Sequence, residues 1–381
     1  MANNIAASLA ALGIALAPAL LKFAEVPETA TMDVNEDAVT ECIVQDDAPV
    51  HRRYQGTGDV EARLASNAVV QVLSKRKNWR HVAYVDGAQA ATGWVTTNYL
   101  GECDAEPASH SENASESGGS IGPVLPSGAG LKIATFNIQN FGKTKLAKDD
   151  VVNQLVRIVR KYPLVAVQEL SDKSNQVPGA FLDRVNGGGG GGTYDALVSE
   201  RSGKQDDDST SQEQYAFYFD KSVLEAKSAG ELFDDHAHDF FQREPYVAQF
   251  KVRSSTFSFV IITIHTKPGE IGEIQHLDDV VGWARGRFPG EEDFVVLGDF
   301  NGGCNYVSPE ELDELSIRNP DEYTWLVPDS ADTNLATKPC PYDRIVVTAP
   351  TALRFLRWGV DQAFNENTVS DHWPVWAEFR Q

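Results

Sequence analysis

FVVLGDFNGGCNYV, residues 294–307, is the stretch that decides the architecture. Its first half is an unbroken apolar run rich in valine, the composition of a strand buried on both faces. The run stops at Gly298, and Asp299, Phe300 and Asn301 follow at once. Outward from it the same arrangement recurs. LKIATF (131–136) runs into Asn137, LVAVQ (164–168) into Glu169 and FSFVIITI (257–264) into His265. In the opposite sense Asp343 precedes RIVV, and Asp371-His372 precedes WPVWAEF. Strands that enter and leave one edge of two packed sheets bring all of these polar residues to a single rim.

Such a rim has a definite chemistry. Several carboxylates and an amide oxygen suit a hard, oxygen-seeking cation such as magnesium, and two histidines beside them suit proton transfer. With an arginine added, the set fits phosphate-ester hydrolysis, in which cation and arginine stabilise charge and a histidine activates water. Taken singly, each residue also has a plainer use: Glu169 as a solvated strand end, Asp299 and Asn301 in an Asx-turn, Arg243 in an ion pair with Glu244. The 381 residues include 33 Lys+Arg against 55 Asp+Glu, a net charge of −22. That balance excludes tight binding to nucleic acid through a basic surface, where each phosphate contact is matched by a Lys or Arg. A nucleic-acid role has to rest on a site.

LKIATFNIQNFG, LVAVQEL, EQYAFYF, REPYVAQF, ITIHT, VLGDFNGGCNYV, WLVPDSADT, CPYDRIVV and SDHWPV resemble, in order and spacing, the deoxyribonuclease I family of the endonuclease/exonuclease/phosphatase superfamily. The resemblance covers residues 131–380. GDFN and SDH are shared across the superfamily, whereas REPYVAQF and VPDSADT with CPYDRIVV point to the deoxyribonuclease I branch. It implies an α+β fold, a four-layer α/β sandwich of two packed β-sheets flanked by helices. It implies a divalent-metal-dependent endodeoxyribonuclease of little sequence specificity that leaves 5′-phosphates, acting on DNA as a monomer. Magnesium, with manganese able to substitute, would be held by Glu169, Asn137, Asp299 and Asp371. His265 oriented by Glu213, and His372 oriented by Asp343, would be the acid/base pairs, with Asp299 and Asn301 beside them. Arg243 and Asn301 would contact the scissile phosphate. Two other readings stand beside this one: a sphingomyelinase- or inositol-phosphatase-like phosphodiesterase of the same superfamily, and a cell-wall-binding protein with an inactive nuclease scaffold.

The departures from the family pattern matter as well. Gln139 stands where an arginine is usual, Ser171 follows Glu169 by two, and Ser211 precedes Glu213 by two. Loss of cationic and aromatic groups there predicts weaker duplex binding or altered cleavage preference, with the chemistry kept. The family's small cysteine loop is replaced by LFDDHAHDFFQREP, whose Asp234, Asp235, Asp239 and Glu244 have the composition to hold calcium. Asp332 is the remaining acid of a second calcium position, weakened by Asn334, Ala336 and Lys338.

Cys42, Cys103, Cys304 and Cys340 fall as one pair in each half of the chain; paired disulfides would require an oxidising compartment, and four buried thiols are the alternative. Cys304 and Cys340 match the family's long-range disulfide. Residues 2–21 are uncharged and apolar, a signal or anchor within a leader spanning 1–35 that would place the protein outside the cytoplasm, secreted or periplasmic or at the bacterial cell surface. Residues 36–103 carry short β-type runs, and VVQVL, NWRHVAYVDG and TGWVTTNYL resemble a bacterial SH3-like domain, a small all-β barrel at the N-terminus whose family docks on cell-wall ligands. Residues 104–130 read as a flexible linker, and 131–381 as the catalytic domain.

Overall fold

The structure, a computed structural model, describes residues 40–45, 47–52, 60–66, 68–86, 89–101, 130–187, 194–203 and 212–381. The apolar leader, Cys103, most of the expected linker and Ser211 lie outside the described residues. Among the described residues no helix is long and apolar enough to cross a membrane. The chain divides into two compact units, residues 1–129 and 130–381.

The first unit is a sheet of β1 (Thr40–Ile43), β2 (Ala48–His51), β3 (Val60–Leu64), β4 (Val69–Arg76), β5 (Trp79–Asp86), β6 (Gln89–Thr96) and β7 (Leu100–Gly101). The strand order is β3-β2-β6-β5-β4-β1-β7, with antiparallel pairings throughout. Ile43, Val50, Val72, Val82 and Val95 form its core. Trp94 is buried there with the His81 ring stacked on it at 4.9 Å, and burial drops the His81 imidazole to about 4, so it is neutral at pH 7.

The second unit begins with β8 (Leu131–Asn137), β9 (Leu164–Leu170), β10 (Tyr194–Val198), β11 (Gln214–Asp220), β12 (Leu224–Ala226) and β13 (Glu231–Leu232). It continues with β14 (Tyr246–Val252), β15 (Ser258–His265), β16 (Phe294–Asp299), β17 (Tyr323–Trp325), β18 (Asp343–Thr348), β19 (Phe355–Val360) and β20 (Val375–Phe379). The apolar runs beside the rim residues supply the bodies of β8, β9, β15, β16, β18 and β20, with Phe257, Trp373 and Pro374 just outside the strands. The strands make two mixed sheets, β10-β11-β9-β8-β20-β19 and β12-β14-β15-β16-β18-β17, with β13 added beside β14. Each sheet has one parallel pair at its centre, β8 with β9 and β15 with β16.

The helices cover the outer faces. Helix α1 (Lys143–Leu146) leads into α2 (Asp149–Val159), which with α3 (Val177–Gly187) packs Val152, Leu155, Phe181 and Val185 against Phe136, Val165 and Val167. The residues of α2 repeat at helical spacing, and its Asp149 and Asp150 lie in the first turn, favourably placed for the helix dipole. On the other sheet α4 (Ile271–Gln275) and α5 (Leu277–Arg287) pack Ile274, Leu277, Val280 and Ala284 against Ile262, Ile264 and Val296. Two further short helices are α6 (Pro309–Asp313) and α7 (Ala349–Ala352). The inner faces meet directly: Phe217 of β11 stacks on Tyr246 of β14 at 5.0 Å, and Gln168 of β9 donates to Thr263 Oγ1 of β15 at 2.8 Å. Helix, sheet, sheet and helix therefore follow one another, as expected for a sandwich of this class.

Candidate active site

Because the two parallel pairs run in register, their C-terminal ends carry polar residues to one place. In β8 and β9 the ladder pairs Asn137 with Gln168; in β15 and β16 it pairs His265 with Asp299; and β18 starts with Asp343 opposite Asp299. Glu169 reaches the rim through a bulge. Gln214 pairs with Leu170 and Ala216 with Val167, so Gln168 and Glu169 together face Tyr215 alone. The extra residue turns the strand, and Glu169 takes a φ of 62°. Asn301, with a φ of 44°, is likewise held in the left-handed region, a costly backbone state that clusters where side-chain direction matters.

The centre of the rim is one oxygen. Asp299 Oδ2 accepts from Asn137 Nδ2 at 3.0 Å and lies 3.6 Å from His265 Nε2 and 3.6 Å from His372 Nε2. Each imidazole is held from behind by its own carboxylate, His265 Nδ1 by Glu213 Oε2 at 2.9 Å and His372 Nδ1 by Asp343 Oδ2 at 2.8 Å. Asn301 N donates to Asp299 Oδ1 at 2.9 Å, which fixes the carboxylate's second oxygen. His372 has no strand to hold it beyond a single bridge to Asn334; Ser370 Oγ accepts its backbone N–H at 3.1 Å and donates to Asn137 O at 2.6 Å.

Burial disfavours charge on His372, but Asp343 and Asp299 outweigh it and push the imidazole up to about 10. His265 is raised in the same way: burial and Arg243 oppose the charge and Glu213 with Asp299 favours it. Burial would raise Asp299, and the two imidazoles bring it below its ordinary value. Asp343 and His372 share one proton between them; the direction that follows from the buried pair's position beside Asp299 is an imidazolium facing a carboxylate.

This has a sign for stability. His372 binds its proton more tightly folded than unfolded, where its pKa is about 6.5. Its contribution is complete below that value and is lost as pH rises toward about 10. With EDTA present, the urea midpoint of the wild type relative to His372→Ala is expected to shrink across this window. The difference between the two proteins is the quantity to measure, since buried Lys145, lowered to about 8, pulls the wild-type curve the other way above that pH. A constant difference from pH 6 to 10 would show that the pair is not charged.

Glu169 Oε1 accepts from Asn137 Nδ2 at 2.9 Å and its Oε2 from Asn140 N, and Oε1 lies 3.9 Å from His265 Nε2. Asp371 Oδ2 accepts from Gln139 Nε2 at 2.8 Å, while the buried Asp371 Oδ1 has no hydrogen-bond partner. The donors gathered here are carboxylate and amide oxygens, and one buried oxygen lacks a partner, so the set fits a hard divalent cation. Asn137 presents its NH2 to both carboxylates, and its Oδ1 accepts from Gln139 N at 2.9 Å. A tighter grouping, Asp299, Asp343 and His372, has ligand atoms within 4.8 Å of one another. Within it His372 Nδ1 and Asp343 Oδ2 are already hydrogen-bonded to each other at 2.8 Å.

Arg243 is 4% exposed. Its Nε donates to His265 O at 2.9 Å and Nη2 to Thr266 O at 3.1 Å, and Nη1 lies 3.6 Å from Glu213 Oε1. It therefore braces the His265 loop as well as lining the site. Asn301 Nδ2 donates to the same Thr266 carbonyl at 3.0 Å. Of the expected calcium residues, Asp235 is buried and accepts from Phe241 N at 2.8 Å, closing its own loop. Asp234, Asp239 and Glu244 lie on that loop between β13 and β14, and Asp332 lies before β18, where its Oδ1 accepts from Asn334 N. Among the described residues these acids do not form a group of converging ligand atoms. Cys304 and Cys340 form a disulfide across 36 residues, tying the loop after Asn301 to the segment before Asp343.

Several supporting residues escaped the sequence reading: Lys145, Ser370, Thr333, Tyr215 and Glu273. Thr333 Oγ1 accepts from Asp343 N at 3.1 Å, Tyr215 Oη from His265 N at 3.1 Å, and Glu273 from Gln242 N and Lys267 N on either side of the Arg243 region. Tyr215, Thr333 and Ser370 stand inside the strings EQYAFYF, VPDSADT and SDHWPV, whereas Lys145 and Glu273 lie outside every string quoted.

Residues 134–372 match the model of the "Endonuclease/Exonuclease/phosphatase family". The chain is 33% identical to "Deoxyribonuclease-1" of Homo sapiens over 273 residues, covering 67% of this chain and 94% of that protein. It is 34% identical to the protein of the same name from Bos taurus over 268 residues, covering 66% and 93% respectively. The shared part contains both histidine–carboxylate pairs and the oxygen that they face, and the chain belongs to the deoxyribonuclease I family of the endonuclease/exonuclease/phosphatase superfamily.

Proposed function

We propose that this protein is a secreted endodeoxyribonuclease that hydrolyses phosphodiester bonds of DNA with a divalent cation, magnesium first, and leaves 5′-phosphates. The observation that carries the reading is the convergence of His265 Nε2 and His372 Nε2 on one carboxylate oxygen, each imidazole backed by its own acid. Two proton carriers facing one anionic centre suit an in-line displacement, in which one group takes a proton and another gives one. The described relatives carry the name deoxyribonuclease over nearly their whole length, which supports DNA as substrate.

Glu169, Asn137, Asp299 and Asp371 would hold the cation, and a bound divalent ion stabilises negative charge on the phosphoryl oxygens. His372 Nε2 takes a proton from the attacking water as its oxygen bonds to phosphorus. The bond from phosphorus to O3′ breaks, and O3′ takes a proton from His265 Nε2. Arg243 and Asn301 bind the non-bridging oxygens. Glu213 and Asp343 fix the ring tautomers and balance the imidazolium charges. His372 acts as base in its neutral form, and a cation held at Asp299 would weaken that carboxylate's pull on the imidazole proton. Export is supported by the Cys304–Cys340 disulfide, a bond that persists in oxidising compartments. The N-terminal unit is proposed to dock the enzyme on a cell-wall ligand.

Supercoiled plasmid decides the matter. Nicking is expected with magnesium, none with EDTA, and the new ends should be substrates for ligation without prior phosphorylation. Activity should fall only shallowly with added salt, because few cations meet phosphates. Release of phosphocholine or inorganic phosphate from small esters without nicking would favour the lipid or sugar phosphodiesterase instead.

A further inference from the structure

Lys145 on α1 is buried, and its ammonium has three N–H donors and three backbone carbonyls to receive them: Ile138 O at 2.9 Å, Val369 O at 2.9 Å and Gln139 O. Two of these belong to the loop that leaves β8 after Asn137; the third belongs to the loop that presents Asp371 and His372. Gln139 and Asn140 sit at φ of 31° and 52°, a backbone state that non-glycine residues keep only when their surroundings enforce it. An ammonium buried at a cost in solvation is the side chain that can offer three converging donors. With all three spent on carbonyls, none is left for a phosphate. Ser370 and Gln139 add neutral ties between the same loops, to Asn137 O at 2.6 Å and to Asp371 Oδ2 at 2.8 Å.

We infer that Lys145 is a positioning residue for DNA cleavage: it bolts the 137–140 loop to the 369–372 loop and so sets the spacing between the oxygens that hold the cation and the His372 imidazole. The inference rests on the function proposed above and adds a residue that touches neither substrate nor cation.

Lys145→Met keeps the length and removes the donors; Lys145→Arg keeps the charge in a planar fork that cannot match three converging carbonyls. For the full chain, the magnesium concentration giving half-maximal nicking and the magnesium dissociation constant from calorimetry without DNA should both rise about 10- to 100-fold in Lys145→Met. kcat should fall by a similar factor, KM for DNA should stay near the wild-type value, and Lys145→Arg should lie between. A folded variant with wild-type magnesium affinity and kcat overturns the inference, however far its melting temperature has dropped. Should Lys145→Met fail to fold, Lys145→Arg is judged by the same two constants. A wild type that cuts no DNA would sink the functional reading alone, since the calorimetric comparison still decides whether Lys145 shapes the cation site.

Discussion

His372→Ala is expected to lower kcat for plasmid nicking by about 10³-fold or more, within the range that a positioned acid or base contributes. The geometry leaves no substitute. His265 Nε2 faces the same Asp299 oxygen, but Glu213 holds its ring and ties it to its own carboxylate. The variant also strips Asp343, fully buried, of the ring that it accepts from. Burial raises the Asp343 carboxyl and so favours its protonated form, which offsets part of the cost of an uncompensated buried charge. His372→Gln, able to keep a hydrogen bond to Asp343, separates the two effects: it should regain stability without regaining activity. Combining Asp343→Asn with His372→Ala should cost little beyond His372→Ala alone, because members of one catalytic unit are not additive. Nicking by His372→Ala at more than about a tenth of the wild-type rate would show that another group carries the proton.

Gly298→Ala is expected to unsettle the fold and the site together, by on the order of 4 kcal/mol, a value reserved for clashes that nothing can relieve. Gly298 has a φ of 144°, and a Cβ built there would stand 2.0 Å from the Ile264 carbonyl oxygen. That neighbour is backbone of the adjacent parallel strand, so no rotamer change can move it away. Displacing it would carry His265, the next residue, off its register with Asp299. Loss of about 10 °C in melting temperature is the expected reading for a unit of this size, with activity lost even below the new midpoint. An unchanged melting curve would mean that the β15 and β16 backbones are farther apart than described.

Asn137, Glu169, His265, Asp299 and Asp343 are legible in the sequence because each ends or begins an apolar run, and strand ends of packed sheets share an edge. The two mixed sheets follow from the same runs. What holds these residues in place is not legible. Gln139 meets Asp371 across 232 positions and Lys145 meets Val369 across 224, and nothing local in the sequence marks these distant partners. Glu169 depends on a bulge, a one-residue irregularity without a sequence signature here. Arg243 looks like a surface arginine next to Glu244, yet tertiary packing commits most of its fork to two carbonyls. Asp235 shows the reverse: it belongs to an acidic run with the composition to hold calcium, and the loop folds it inward to accept from Phe241 N.

The hydrogen bond from Asn137 to Asp299 spans 162 residues, and the oxygen that it reaches is also the one faced by His372. Parallel ladders such as β8 with β9 cannot close until a crossover has been laid down between them. Contacts so distant in sequence form late and at a high entropic cost. The site therefore needs both sheets of residues 130–381 joined, and neither sheet alone can assemble it. Catalysis in this protein is a report on completed folding: a nuclease with no half-built active form to release along the way.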